Sequence, residues 1–154
     1  MNLPFADESF DIVINEAMLT MLPIEAKKKA VSEYFRVLKK GGILLTHDVG
    51  FENPNLEKIL EELKNIINVA VTPLLFDDWE KLFRETGFSR IEKNTGDMSL
   101  MNPIGMICDE GFFGALKIIR NGMKKENREM FQSMRKFFNH TGRDLKYIAV
   151  ASRK

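Results

Sequence analysis

The sequence predicts an α/β fold, in which strands and helices alternate along the chain. Residues 10–14 and 43–46 are short apolar runs, typical of strands that are buried on both faces of a parallel sheet. Between them, residues 25–38 carry apolar side chains at helical spacing. A strand, a helix and a second strand in this order predict a right-handed βαβ unit with parallel strands.

The composition is that of one globular domain, and we expect it to cover residues 1–154. Hydrophobic residues make up 44% of the chain and charged residues 29%. The net charge of +1 argues against nucleic acid as a partner, and no long apolar run predicts a membrane partner. The single cysteine, Cys108, permits no internal disulfide and fits a cytoplasmic location. No cluster of metal-ligand residues is visible, so we predict no metal site.

The first predicted helix has one apolar stripe. Four charged residues lie mostly outside this stripe: Lys27, Lys28, Lys29 and Glu33. The pair Gly41-Gly42, which follows two lysines, predicts the end of the helix. A later helix is predicted to begin at Asp77, where Glu80 indicates a capping box, and to end at Gly87. The remaining predicted elements are a helix that opens near residues 53–55, a partly wet or edge strand at 88–94, helices at 109–121 and 124–139, and a strand at 145–151.

Two sequence motifs resemble a known family. The stretch LPFADESFDIVI (residues 3–14) and the stretch YFRVLKKGGILL (residues 34–45) are similar to the middle of class I S-adenosylmethionine (SAM)-dependent methyltransferases. The nearest likeness is to the small-molecule group that includes the ubiquinone and menaquinone biosynthesis enzymes. Residues 76–94 resemble the next helix and strand more weakly. The resemblance implies SAM as cofactor, a small-molecule substrate, and the C-terminal portion of such a domain.

The resemblance also implies a particular sheet. We expect a partial Rossmann-like class I methyltransferase sheet whose strands are equivalent to strands 4, 5, 6 and 7, in the spatial order 4-5-7-6. A helical insert at about residues 97–142 separates the last two strands. It is rich in methionine and phenylalanine, which suit a lid over a hydrophobic substrate. The alternative is that these residues form only helix core or a dimer interface.

The family places its cofactor beyond the carboxyl end of the first strand described above. By resemblance, the cofactor-binding residues here are Asn15, Glu16, Ala17, Met18 and Leu19. The alternative for Asn15 and Glu16 is that they cap the following helix. Asp11 is interpreted as bonding nearby backbone, with a cofactor role as its alternative.

His47 and Asp48 end the second strand, where a substrate would sit. The catalytic residues are unknown. His47 is a weak candidate for the base because its ordinary pKa lies near neutrality. The alternative is that His47 is purely structural.

No G-x-G-x-G loop occurs in the sequence. The family uses such a loop, together with an acidic residue after its second strand, to hold SAM. We therefore expect that the chain lacks the first three strands and is impaired in cofactor binding. The alternatives are a non-catalytic dimerisation or regulatory remnant, and one part of a split methyltransferase. Without those strands, residues 10–14 would form a bare edge, which predicts a homodimer through this strand or a swapped element.

Overall fold

The computed structural model describes residues 2–53, 57–67, 71–98, 102–140 and 144–154. The strands are β1 (Phe10–Glu16), β2 (Leu38–Phe51), β3 (Leu74–Leu75), β4 (Arg90–Asp97) and β5 (Lys146–Arg153). The helices are α1 (Ile24–Val37), α2 (Glu57–Ile67), α3 (Phe76–Thr86), α4 (Pro103–Gly122) and α5 (Arg128–Asn139). A short 3₁₀ helix, Leu19–Met21, precedes α1. The α/β class predicted from the sequence is confirmed.

The strands form one mixed sheet in the order β1-β2-β5-β4, with β3 beside the end of β2. This order agrees with the order expected from the sequence. β1 and β2 are parallel, as predicted for the βαβ unit, and β5 runs antiparallel to β2. The carboxyl ends of β1 and β2 therefore lie at the same edge of the sheet, and Glu16 is paired with His47 there.

The described residues form two compact units. The sheet unit comprises the described parts of 1–54, 70–96 and 146–154, and the helical unit comprises those of 55–69 and 97–145. The core of the sheet unit lies on one face of the sheet, where α1 and α3 meet β2 and β5. Its fully buried side chains include Val31, Leu44, Trp79, Phe83 and Ile148.

The opposite face of β1 is open. Ile12 and Ile14 are 55% and 73% exposed, whereas Val13 packs against the core. Alternate residues of a strand point to opposite faces, so one face of β1 is covered and the other is bare. The prediction that this strand is buried on both faces is therefore wrong for the described residues. Asp11 is exposed and forms an ion pair with Lys39, at 2.9 Å between Oδ2 and Nζ, in place of the predicted backbone bond.

Two predicted helix boundaries differ in the structure. α1 ends at Val37, so the backbone is already extended at Leu38, before the lysines and the glycine pair. Gly41 has φ of +76° and lies within β2, where the register with β1 shifts between the Phe10–Leu38 and Ile12–Ile43 pairs. α3 begins at Phe76 without a side-chain cap, so the predicted capping box is wrong. Glu80 instead pairs with Arg84 and Lys93, while Gly87 ends the helix in the left-handed conformation, as predicted.

In addition to the pairing of β1 with β2, one arginine connects the two family motifs. Arg36 of α1 donates hydrogen bonds to the carbonyl oxygens of Leu3 and Phe5 and to the carboxylate of Asp7. Glu33 accepts from the backbone N–H of Leu3 at 2.8 Å and from Arg36. These bonds lower the pKa of Glu33 to about 2, because they favour its charged form. The loop before β1 is thus fastened to α1 by charge-assisted bonds.

The helical unit is built on α2, α4 and α5. α4 is interrupted at Gly111, whose φ of +72° and ψ of 167° are not helical, so two helical segments join there. Near its end, Gly122 is buried and leaves room for the ring of Phe131 on α5. A Cβ at this glycine would lie far inside contact distance of that ring. None of the helices in the described residues is both long and apolar enough to span a membrane.

Candidate functional site

The segment Asn15–Leu19 leaves the carboxyl end of β1 and divides between two environments. Asn15 is buried on the α1 side, where its Oδ1 accepts a hydrogen bond of 3.2 Å from the Tyr34 hydroxyl. Leu19 is completely buried in the core. Glu16, Ala17 and Met18 are exposed. The predicted cofactor residues therefore form a short exposed edge that is held at both ends by buried side chains.

Asp48 holds this edge in place. Its Oδ2 accepts hydrogen bonds from the backbone N–H groups of Leu19 (3.0 Å) and Thr20 (3.2 Å), and its Oδ1 accepts from that of Val49 (2.9 Å). Because Asp48 is only 3% exposed, these hydrogen bonds replace the water that would otherwise surround its carboxylate. The prediction that it lies with His47 on an exposed rim is wrong, because adjacent residues of β2 point to opposite faces.

A buried lysine lies behind the same segment. Lys27 has no exposed surface, and its Nζ donates to the carbonyl oxygens of Leu22 (2.5 Å) and Thr72 (2.6 Å) and to the Thr72 hydroxyl (2.7 Å). Burial lowers the pKa of Lys27 to about 8, against the opposing attraction of Asp48. Lys27 lies outside the apolar stripe of its helix, and this position had indicated a surface residue. The structure instead buries its side chain completely.

Glu16 and His47 meet on the open face of the sheet. Their paired positions place His47 Nδ1 3.9 Å from Glu16 Oε1, and the His47 ring lies 5.7 Å from the ring of Tyr147. The two residues line a groove of about 580 Å³, whose other walls come from β4 and β5. The Tyr147 hydroxyl donates to Asn94 Oδ1 at 3.3 Å beside it. The groove combines an apolar floor with an imidazole and a carboxylate.

The predicted residues therefore do not share one surface. Glu16 and His47 lie together in the groove, Ala17 and Met18 lie on the adjoining exposed edge, and Asn15 faces the opposite side of the sheet. The alternative reading of Asn15 and Glu16 as helix caps is wrong, because neither helix that follows has a side-chain cap.

Whether this edge suits SAM depends on which polar groups and which surface it offers. The amide nitrogen Nδ2 of Asn15 is buried and lacks a hydrogen-bond partner among the described residues. Such a donor is costly when unpaired and suits an acceptor atom of a ligand. Met18 offers exposed apolar surface, and Ala17, at φ of +51°, offers backbone without a bulky side chain. The surface of Ala17 and Met18 is compatible with one side of the cofactor, whereas the Asn15 donor faces the other side of the sheet.

The chain is similar to one protein family and to several solved structures. Residues 1–46 match the family described as methyltransferase domain. The fold resembles the MccD protein, with a TM-score of 0.68 at 17% identity, covering 99% of this chain and 64% of that one. It also resembles the phosphoethanolamine N-methyltransferase 2 of Haemonchus contortus, solved with S-adenosyl-L-methionine, with a TM-score of 0.67 at 19% identity, covering 97% of this chain and 34% of that one.

Residues 1–46 are thus similar to the methyltransferase domain family, and the fold resembles that of solved methyltransferase structures. A Haemophilus influenzae protein described as uncharacterized is 60% identical over all 154 residues. The chain spans 61% of the length of that relative.

Among the described residues, no three of the histidine, cysteine, aspartate and glutamate side chains come together as a metal site would require. Cys108 is exposed on α4.

Proposed function

We propose that this chain is the C-terminal part of a small-molecule methyltransferase and supplies one side of its SAM site. The observation that carries the proposal is the edge Glu16–Met18, fixed by the buried Asp48 at the carboxyl ends of two parallel strands. Open α/β sheets bind their ligands at this place. The family match covers the same residues, which supports the proposal.

In this proposal, the exposed edge contacts the cofactor and the groove binds the substrate. SAM, when bound, supplies a methyl group on a positively charged sulfur. Met18 packs beside the ligand, and Asn15, buried against Tyr34 of α1, holds the end of β1 in place. In the groove, His47 accepts a proton from the substrate, and Glu16 stabilises the imidazolium that results. The chain orients the reactants and moves a proton, which is most of what methyl transfer requires from a protein.

We propose that this chain alone binds SAM weakly. Its sequence contains neither the Gly-rich loop nor the surrounding strands that would hold the rest of the cofactor. Calorimetric titration of the chain with SAM is expected to give a dissociation constant of about 1 mM or weaker. The matched comparison is the longer Haemophilus influenzae relative, for which we expect binding at about 10 μM.

The outcomes separate the two parts of this proposal. Tight binding by both proteins would leave the methyltransferase assignment standing and refute the impairment. Absence of binding by both would refute the assignment itself. A split enzyme predicts a third pattern, in which the chain binds SAM only after a second polypeptide with a Gly-rich loop is added.

The open edge of β1 favours a second candidate function, dimerisation. Within the described residues β1 pairs only with β2, and Ile12 and Ile14 are exposed beside its free edge. Unpaired strand edges recruit other strands, so we propose a homodimer through β1 or through a swapped element. A non-catalytic dimerisation or regulatory remnant would use the same edge. We also propose a cytoplasmic location, which the single cysteine supports.

Light scattering at about 10 μM tests the dimer, at a concentration typical of specific homodimers. Wild type is expected at twice the mass of one chain, and Ile14→Lys at the mass of one chain, because a buried lysine in the paired edge is costly. Ile104→Lys is the matched control, since Ile104 is also 73% exposed but lies on α4. A monomeric wild type, or equal dissociation by both variants, contradicts the proposal.

A further inference from the structure

The second half of α4 exposes large apolar side chains. Phe112 and Phe113 are 62% and 83% exposed, and Leu116 and Met123 are also exposed. Phe112, Leu116 and Met123 are four and seven residues apart, so they lie along one line of the helix, with Phe113 beside it. Ala115 and Gly122 lie about a quarter of a turn from this line and are buried. The apolar line is thus a surface feature distinct from the core contact of this helix.

Cations flank this apolar line. Arg120 and Lys117 lie on the same side as Phe113, at spacings of seven and four residues. Lys124 and Lys125 follow directly after the end of the helix. Phe113, Leu116, Lys117 and Arg120 line a common cavity of about 360 Å³, to which Asn121 also contributes. Apolar and cationic groups therefore share one local surface.

No acidic residue occurs from residue 111 to residue 125. The nearest preceding carboxylate, that of Glu110, lies over Gly114, three residues before Lys117, and Glu126 follows directly after Lys125. None of the four cations forms an ion pair with another part of the chain that the structure describes. The overall net charge of +1 conceals a local excess of four positive charges in this stretch.

We propose that the segment from Gly111 to Lys125 docks on an anionic lipid surface. A helix that lies in a membrane interface combines bulky apolar side chains with lysine and arginine beside them, and it does not need to span the bilayer. Charge complementarity selects this occupant, because the four unpaired cations match anionic headgroups and the phenylalanines match the acyl boundary. The Gly111 break begins the segment, since Asp109 and Glu110 lie just before it.

Vesicle sedimentation tests this proposal. The chain is expected to pellet with vesicles that contain about 30% phosphatidylglycerol in phosphatidylcholine, and to remain in solution with phosphatidylcholine alone. Lys117→Gln combined with Arg120→Gln is expected to weaken binding about thirtyfold, since each cation near such a surface contributes about fivefold. Phe112→Ser combined with Phe113→Ser is expected to abolish measurable binding, because the apolar anchors are removed.

Two matched controls keep the test specific. Lys81→Gln combined with Arg84→Gln removes two exposed cations at the same spacing from α3, and is expected to leave binding within about twofold of wild type. Ile104→Ser removes an exposed apolar residue from the first half of α4 and is expected to have as little effect. Circular dichroism of each variant checks that the fold is kept.

Three results would overturn the proposal. One is that wild type stays in solution or binds both vesicle types equally. Another is that the α3 control loses as much affinity as the α4 variant, which would reduce the effect to net charge. The last is that light scattering finds an oligomer of wild type that Phe113→Ser converts to a monomer, which would assign the surface to a second copy of the chain.

Discussion

Asp48→Asn is expected to lower the free energy of unfolding by about 4 kcal/mol. The carboxylate accepts three backbone N–H groups, two on Oδ2 and one on Oδ1, and it is almost completely buried. The amide has the same shape but turns an NH₂ donor toward at least one of those donors. Each lost bond to a buried charge costs about 1.5–3 kcal/mol. Urea unfolding followed by circular dichroism measures the change.

Asp78→Asn provides the matched control for this prediction. Asp78 is exposed on α3, and the same substitution there is expected to change stability by at most about 0.5 kcal/mol. Because Asp48 fixes Leu19 and Thr20, its loss is also expected to abolish SAM binding in a longer protein that retains it. Equal, small effects of both substitutions on unfolding would contradict the role assigned to Asp48.

Lys27→Met is expected to lower the free energy of unfolding by about 3 kcal/mol. Methionine fits the space but removes the Nζ donor from three acceptors on Leu22 and Thr72, of which the Leu22 carbonyl keeps the Thr72 hydroxyl as a donor. It also removes the positive charge that attracts the buried Asp48. Lys28→Met is the matched control, because Lys28 is exposed and, among the described residues, pairs only with Glu25 at 3.4 Å, so its loss costs at most about 0.5 kcal/mol.

The pH dependence gives Lys27 a separate signature. Its pKa is about 8 in the folded protein and 10.5 ordinarily, so between these values the unfolded chain binds more protons than the folded one. Stability therefore rises with pH across this window, by about 3 kcal/mol for a full shift. The gain should appear in wild type and be absent from Lys27→Met when both are unfolded at pH 7.5 and at about pH 10.5. A constant difference between the two proteins would contradict the lowered pKa.

The sheet order was predicted from the resemblance to the family, whereas the parallel β1–β2 pair was predicted from local patterns. Short apolar runs and a 14-residue helix between them identify the βαβ unit. The motif that contains Arg36 indicated the family, and its bonds to the loop before β1 give the physical reason for the motif.

The candidate site was only partly accessible from sequence. The pleat alone implies that His47 and Asp48 point to opposite faces, so the buried role of Asp48 was within reach. The burial of Lys27 was not, because it depends on Thr72, 45 residues away in the chain. The exposure of Ile12 and Ile14 likewise depends on what covers the sheet rather than on their own hydrophobicity.

The position of β5 has a consequence for how the protein folds during synthesis. β5 lies between β2 and β4, and pairs Ser152 with Leu44, a partner made more than a hundred residues earlier. Until β5 has been made, one edge of β2 therefore lacks its strand partner. The core beneath α1 and α3 also lacks the side chains that β5 contributes. The sheet unit closes only after residue 153 has been made, so its folding is expected to be slow for its size.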